Sequence, residues 1–341
     1  MSVAPDAGIL DPVPAPHGAP EPYPAPAATV LAALLDAGDL DLPLPGSGST
    51  PQRWARLARL GRRDLPVARL AEGHTDAVAI LAGYDRAAHP GARYGVWASR
   101  AGGGARIGRA ADGARLNGTV RFCSGTHLLD RALVVADAGD GSTRLVELDL
   151  HDPRIERLGD AWRAAGMAAS DTHDVVLHDV PVPAEAVVGG PDAYTDRPGF
   201  AHGGAGVAAV WLGGAAGIVD EVAATLRPGA LDGGGDPHRL AGFGEMHAAV
   251  AGADTLLRAT AARIDADPGE PHHGAVATVR AAVERAGRTV LDVAPECAGV
   301  SALAGSRGLT ARLADLQIYL RQQHGARDRA ELGRVVLGGG V

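Results

Sequence analysis

Hydrophobic and polar positions change period twice along the chain. Over residues 26–92 apolar positions recur at helical spacing in short runs. These are 27–37, closed by Gly38; a helix opened by Thr50-Pro51, with Trp54, Leu57 and Leu60 on one face, stopping at Gly61; then 65–71 and 75–84. Thr50 reads as an N-cap and Pro51 as the first helical residue, where no N–H is needed. From Tyr94 the period falls to two. Segments 94–99, 105–109, 133–136, 143–150, 155–158 and 174–177 predict strands, and Val180-Pro181-Val182-Pro183 ends the run. After Pro198 helical spacing returns over longer stretches: 205–226, apolar all round, then the amphipathic 238–265, 273–293 and 309–337. Gly/Pro/Asp-rich breaks at 227–236 and 266–272 separate them. The predicted fold is α+β, with short helices over 26–92, a β domain of barrel or sandwich type over 93–190, and an antiparallel helix bundle over 191–341. Residues 1–25, rich in Pro and Ala, predict a mobile tail or a docking arm on another subunit.

Within the β region, residues 116–125 stand out. Asn117-Gly118 predicts a tight turn, because both residues tolerate positive φ. Thr119, Val120 and Phe122 favour a strand, and Ser124-Gly125 offers a hydroxyl and two backbone N–H groups on a bend.

Composition narrows the classes. All 32 basic residues are Arg, which reflects coding bias more simply than function, and the net charge of −8 is spread along the chain. Without a basic stripe, nucleic acid is not an expected partner. Aromatic residues are 4%, so Ala, Val, Leu and Gly carry the core, and small side chains suit closely packed helices. Two cysteines, Cys123 and Cys297, predict neither a disulfide framework nor a zinc site and fit a reducing cytoplasm. No signal peptide, membrane span or metal site is expected, His272-His273 being an isolated pair.

Three stretches in this order resemble the acyl-CoA dehydrogenase superfamily of flavoproteins: 113–125, from Gly113 to Ser124-Gly125; 165–183, holding Gly166-Met167, Ser170, Thr172 and Val180-Pro181-Val182-Pro183; and Arg312-Leu313-Ala314-Asp315, a weakened form of a C-terminal family motif. The resemblance spans about Gly73 to Gly333. It implies FAD between the β domain and the C-terminal helices. Ser124 would hydrogen-bond the flavin near N5 and O4, Gly125 would share the bend, and Phe122 would stand beside the ring or fill the core. Ser170 and Thr172 correspond to family positions near cofactor or substrate. Arg239, ahead of Phe243-Gly244, would reach the diphosphate of a neighbouring subunit's FAD, although its spacing is one residue longer than the family's.

The departures bear on chemistry. The N-terminal helical region is short for the family, and 95–104 keeps only glycines of the substrate-lining loop, with Trp97 read as core. The two family places for the carboxylate base fall on Gln323 and Val207. A glutamine amide accepts no proton at neutral pH. His324 and His202 are the substitute candidates: His324 has a structural alternative, an i,i+4 pair with Asp328, and His202 stands at the head of the long helix, where the helix dipole would lower its pKa and favour the neutral form. Glu296 replaces a family glutamine at an FAD-contacting motif, and its charge would turn it away from a diphosphate.

The leading expectation is an FAD-dependent oxidoreductase on an acyl thioester or related small acyl substrate, homo- or hetero-oligomeric, passing electrons to a flavoprotein acceptor. The alternatives are a flavin monooxygenase on the same fold, where a C-terminal His near N5 assists oxygen chemistry, and a catalytically degenerate subunit completed by a homologous chain.

Overall fold

The computed structural model describes residues 8–11, 23–111, 113–159, 162–197, 199–231 and 234–339. Three helices come first: α1 (Ala27–Asp36), α2 (Thr50–Arg63) and α3 (Leu65–Ala82). Strands follow: β1 (Tyr94–Trp97), β2 (Gly104–Ala110), β3 (Gly113–Cys123), β4 (Arg131–Asp137), β5 (Thr143–Asp149), β6 (Ile155–Arg157), β7 (His173–Val182) and β8 (Val187–Val188). Five helices close the chain: α4 (Gly199–Leu231), α5 (Pro237–Ala266), α6 (His273–Gly305), α7 (Arg307–Tyr319) and α8 (Ala326–Leu337). The α+β order predicted from periodicity is the order observed.

The strands hydrogen-bond in the order β6-β7-β3-β2-β4-β5-β8. β1 and β2 both run parallel to β4, β1 along residues 131–134 and β2 along 136–137. The other pairs are antiparallel. Alternation in β4 and β5 buries Ala132, Val134, Val146 and Leu148 in one cluster and Leu133, Val135 and Leu145 in another.

Asn117-Gly118 is not a hairpin turn. It lies inside β3, where a bulge shifts the β7 register between Leu116 and Gly118. Gly118 has φ +117°, and a Cβ there would stand 2.5 Å from Gly104 O. Asn117 Oδ1 accepts from the amide of Asp179 across the bulge (2.8 Å). Gly118 serves the bulge as it would serve a turn, because each needs a residue at positive φ. The β2–β3 connection lies further up, after Ala110.

Helix boundaries also move. The two expected helices 65–71 and 75–84 are one, α3, because its apolar residues serve three clusters. Leu65 and Ala68 join the helical core, Val67, Leu70 and Ala71 the sheet core, and Ala77, Ile80 and Leu81 a third. Asp64 caps α3 by accepting from Val67 N (2.9 Å). Gly61 does not stop α2. It is where α2 meets α4: a Cβ at Gly61 would collide with Val210 O, and one at Gly213 with Ala58 O. The expected helix over 309–337 is interrupted at 323–325, where Gly325 takes φ +55°. Contrary to expectation, residues Gly199–Arg227 of α4 are long and apolar enough to cross a membrane by length and composition. They instead form the centre of the helical core, with Ala205, Ala208, Trp211, Leu212, Ala216 and Val219 buried.

Most of the expected tail, residues 1–7 and 12–22, lies outside the described residues. Its described parts are docked. Ile9 is buried, its amide donating to Asp254 Oδ2 (3.1 Å), and the Tyr23 hydroxyl donates to Asp315 Oδ2 (2.7 Å).

Candidate active site

Two bends, far apart in sequence, meet beside the sheet. The first follows β3 at Ser124-Gly125-Thr126, and the second precedes β7 at Ser170-Asp171-Thr172. Backbone bonds join them: Gly125 N donates to Ser170 O and Thr126 N to Asp171 O, both at 2.9 Å. Gly125 takes φ +73°, and a Cβ there would meet Leu129 at 2.7 Å and Leu70 at 3.0 Å, so the bend requires glycine.

Three buried hydroxyls run between the bends. Ser170 Oγ donates to Met167 O (2.7 Å) and lies 2.8 Å from Thr172 Oγ1, which donates to Ser124 Oγ (3.0 Å). Ser124 is held from behind by Trp97, whose Nε1 donates to Ser124 O (3.1 Å). Trp97 is thus core, as read from sequence, and also positions the bend. Ser124 lines a cleft with Arg69, Leu70 and Gly73 of α3, Tyr94–Trp97 of β1, and Leu129.

The α3 wall of this cleft is charged. Arg69 Nη1 bonds Glu72 Oε2 (2.5 Å), and the hydroxyl of Tyr319 donates to the same oxygen (3.2 Å). Asp76, one turn on from Glu72, pairs with the buried Arg53 (3.0 Å). Burial, outweighing the attraction of Arg69, pushes the Glu72 carboxyl well above its ordinary range, and Asp76 pushes the same way. Tyr319 is raised by burial and then by Glu72. Sequence reasoning missed Glu72. Its one signal was a carboxylate and an arginine three residues apart on a mostly apolar helix, a pattern that solvent-facing pairs also give.

Of the residues singled out by sequence, the structure brings together Ser124, Gly125, Ser170 and Thr172. The others lie elsewhere. Phe122 takes φ +61° and is half-exposed, its ring under the Arg121 guanidinium at 5.0 Å, so it is not core. Arg239 donates to Cys297 O (2.5 Å) and Ala298 O (3.0 Å) of its own chain, just before α6 kinks at Gly299. His202 is buried with Nε2 3.2 Å from Glu270 O and its ring stacked on His272. Its pKa is lowered, with burial and not the helix dipole as the leading cause. His324 is mostly exposed, its backbone N–H donating to Asp328 (3.0 Å) and its ring 3.6 Å from the same carboxylate. Gln323 is the residue that turns inward, its Oε1 accepting from Arg280 Nε (3.2 Å). Glu296 is exposed.

The motif residues Arg312 and Asp315 act as struts. Arg312 donates to Arg62 O (2.9 Å) and Arg63 O (3.0 Å) at the C-terminus of α2, where a cation meets unpaired carbonyls. Asp315 accepts from the Met167 amide and the Tyr23 hydroxyl. On the same two bends His127, Asp171 and His173 converge, their ligating atoms within 4.8 Å of one another. No metal site was expected. Asp171 Oδ1 lies 3.0 Å from His127 Nδ1 and 3.3 Å from His173 Nε2, so the carboxylate by itself bridges both rings. Both cysteines are buried and unpaired.

Comparison with known proteins agrees with this architecture. No protein-family profile matches the chain, and no curated protein sequence does. Solved structures do. FMN-bound TdsC from Paenibacillus sp. A11-2 is 20% identical with a TM-score of 0.77, over 92% of this chain and 96% of that one. Methanesulfinate monooxygenase MsuC from Pseudomonas fluorescens is 18% identical with a TM-score of 0.76, over 93% and 97%. The ChsE4–ChsE5 complex from Mycobacterium tuberculosis is 18% identical with a TM-score of 0.72, over 91% and 88%. The fold is the acyl-CoA dehydrogenase-like fold of flavoproteins, as the resemblance implied.

Proposed function

We propose that this protein is a flavin-dependent oxidoreductase acting on a small acyl or related substrate, with the flavin held at the bends of Ser124, Gly125, Ser170 and Thr172. The observation that carries this reading is the hydroxyl chain. Three buried hydroxyls from two distant segments, Ser170, Thr172 and Ser124, form one chain that ends at Ser124 on the cleft. A hydroxyl fixed there suits the polar edge of an isoalloxazine ring. The flavin supplies two-electron chemistry, while the chain binds it, orients it and handles protons. TdsC is FMN-bound and MsuC is a monooxygenase, which supports a flavin on this fold. Arg239, assigned by resemblance to a diphosphate, is engaged by two carbonyls of its own chain, and this supports FMN over FAD.

A monooxygenase is the second reading. It is favoured by the absence of a carboxylate at both family places, Val207 and Gln323, the latter engaged by Arg280. The ChsE4–ChsE5 structure is of a complex. Here α8 buries none of its residues in the described chain and leaves Val336 and Leu337 exposed, which supports association with a second copy or a homologous chain.

The test is the visible absorption spectrum of the purified protein, followed by titration with FMN and with FAD. Bound flavin whose affinity falls in Ser124→Ala supports the reading. A protein that binds neither form overturns it.

A further inference from the structure

We propose that His127, Asp171 and His173 bind one divalent transition-metal ion of the zinc class, which ties the two bends together beside the hydroxyl chain. The inference goes beyond the flavin reading and uses none of the cofactor's chemistry. The sequence hid this trio because His127 and Asp171 stand 44 residues apart, with no metal-ligand spacing between them.

The ligand set is made of neighbours of that chain. His127 follows Thr126 in the first bend, and Asp171 and His173 flank Thr172 in the second. One ligating atom from each of the three lies within 4.8 Å of the other two. Asp171 Oδ1 is 3.0 Å from His127 Nδ1 and 3.3 Å from His173 Nε2. Around a tetrahedral ion with metal–ligand bonds of about 2.0–2.2 Å, neighbouring ligand atoms stand about 3.3–3.5 Å apart. Both carboxylate–imidazole edges are already near that span. The imidazole–imidazole edge closes by rotation of the exposed His127 side chain. Two imidazoles and one carboxylate suit zinc and its neighbours in the first transition row, and leave a position for water or a further ligand.

The carboxylate is preset by its surroundings. Asp171 takes the left-handed conformation, with φ +48° and ψ +51°. Its carbonyl accepts from Thr126 N (2.9 Å), and its Oδ2 accepts from the amide of His127 (2.5 Å). These bonds leave Oδ1 between the two rings. Ligating carboxylates are oriented in this way, by a hydrogen bond to the oxygen that does not carry the metal. His173 Nδ1 is buried with no hydrogen-bond partner among the described residues, so it goes unpaired in either tautomer, and Nε2 is the nitrogen open to an ion. The side chains of His127, Asp171 and His173 are 42%, 20% and 14% exposed, so an ion enters from solvent past His127 and is then partly enclosed. Held there, it joins the first bend to the second on residues adjoining Thr126 and Thr172.

The experiment needs no substrate. The full chain as purified is treated with a chelator, dialysed, and titrated with zinc chloride by calorimetry, beside His127→Ala and His173→Gln. The chain has 13 histidines, so the variants separate this site from adventitious binding elsewhere. The expected result is one ion per chain, with affinity at least about tenfold weaker in each variant. Zinc should also raise the thermal midpoint of the native protein and not of the variants, since an ion held only by the folded chain stabilises it. If His173→Gln does not fold, Asp171→Asn, which keeps a residue that tolerates the left-handed bend, replaces it. No binding, or equal binding in native and variant proteins, overturns the proposal and leaves the trio a hydrogen-bonded bridge. A loss confined to one variant overturns it as well, because another set of ligands then holds the ion. The flavin titration above is read separately, so failure of either reading leaves the other standing.

Discussion

Replacing Asp315 by Ala tests how the site is supported from the helical side. Asp315 is 3% exposed and accepts from the amide of Met167 and from the hydroxyl of Tyr23. Alanine leaves both donors without an acceptor. A buried donor left unpaired costs about 1–3 kcal/mol. Met167 is 3% exposed and belongs near the top of that range, and half-buried Tyr23 near the bottom. The expected loss is therefore about 3–4 kcal/mol. Asp315→Asn retains one acceptor oxygen and should lose about half as much. The effect should reach the cleft, because Met167 O is the acceptor that anchors Ser170, and Ser170 leads through Thr172 to Ser124. Urea unfolding measures the stability change through the shift in midpoint at constant slope. Flavin titration of the folded variant measures the second effect, where a weakening of about 1.4 kcal/mol is tenfold in affinity. An alanine variant that loses less than about 1 kcal/mol would refute the assignment of Asp315 as a buried double acceptor.

Three further outcomes follow from the same geometry. Thr172→Val keeps shape but removes the central hydroxyl, so it should cost about 1–2 kcal/mol in unfolding and weaken flavin binding; unchanged affinity would separate the hydroxyl chain from the cofactor. Gly118→Ala puts a Cβ 2.5 Å from Gly104 O at φ +117°, and should cost about 3 kcal/mol or more by thermal or chemical unfolding; a neutral result would show that the bulge is not required. Glu72, raised by burial to about 7 from 4.5, binds its proton more tightly folded than unfolded. The stabilisation this gives is complete below the unfolded value and is lost as pH rises through about 7, so native stability should fall relative to Glu72→Gln across that window. A difference that stays flat with pH would contradict the assignment.

The chemistry legible in the sequence was the part carried by local pattern. Ser124-Gly125 was legible as a polar bend after a strand, whereas Ser170 and Thr172 were singled out only through the family resemblance. What the pattern hid was direction. Arg239 was matched to an anion-binding arginine despite a spacing one residue longer, and it donates to Cys297 O and Ala298 O beside the kink of α6. His324 was preferred as a base from its neighbours, but the break in the chain at 323–325 exposes it and turns Gln323 inward.

By itself the sequence determined the order of element types, because a period of two or of 3.6 decides which side of a segment is apolar. It determined the glycine-bearing bend at 124–125 as well. Tertiary structure alone decided what each polar residue meets. Asn117-Gly118 became a bulge and not a turn because β7 lies beside it with Asp179 ready to bond. Glu72 became a buried carboxyl that Tyr319, more than 240 residues away, bonds from across the interior. A hydrophobic pattern encodes burial of the apolar face, and it carries no record of which distant polar group will share that interior.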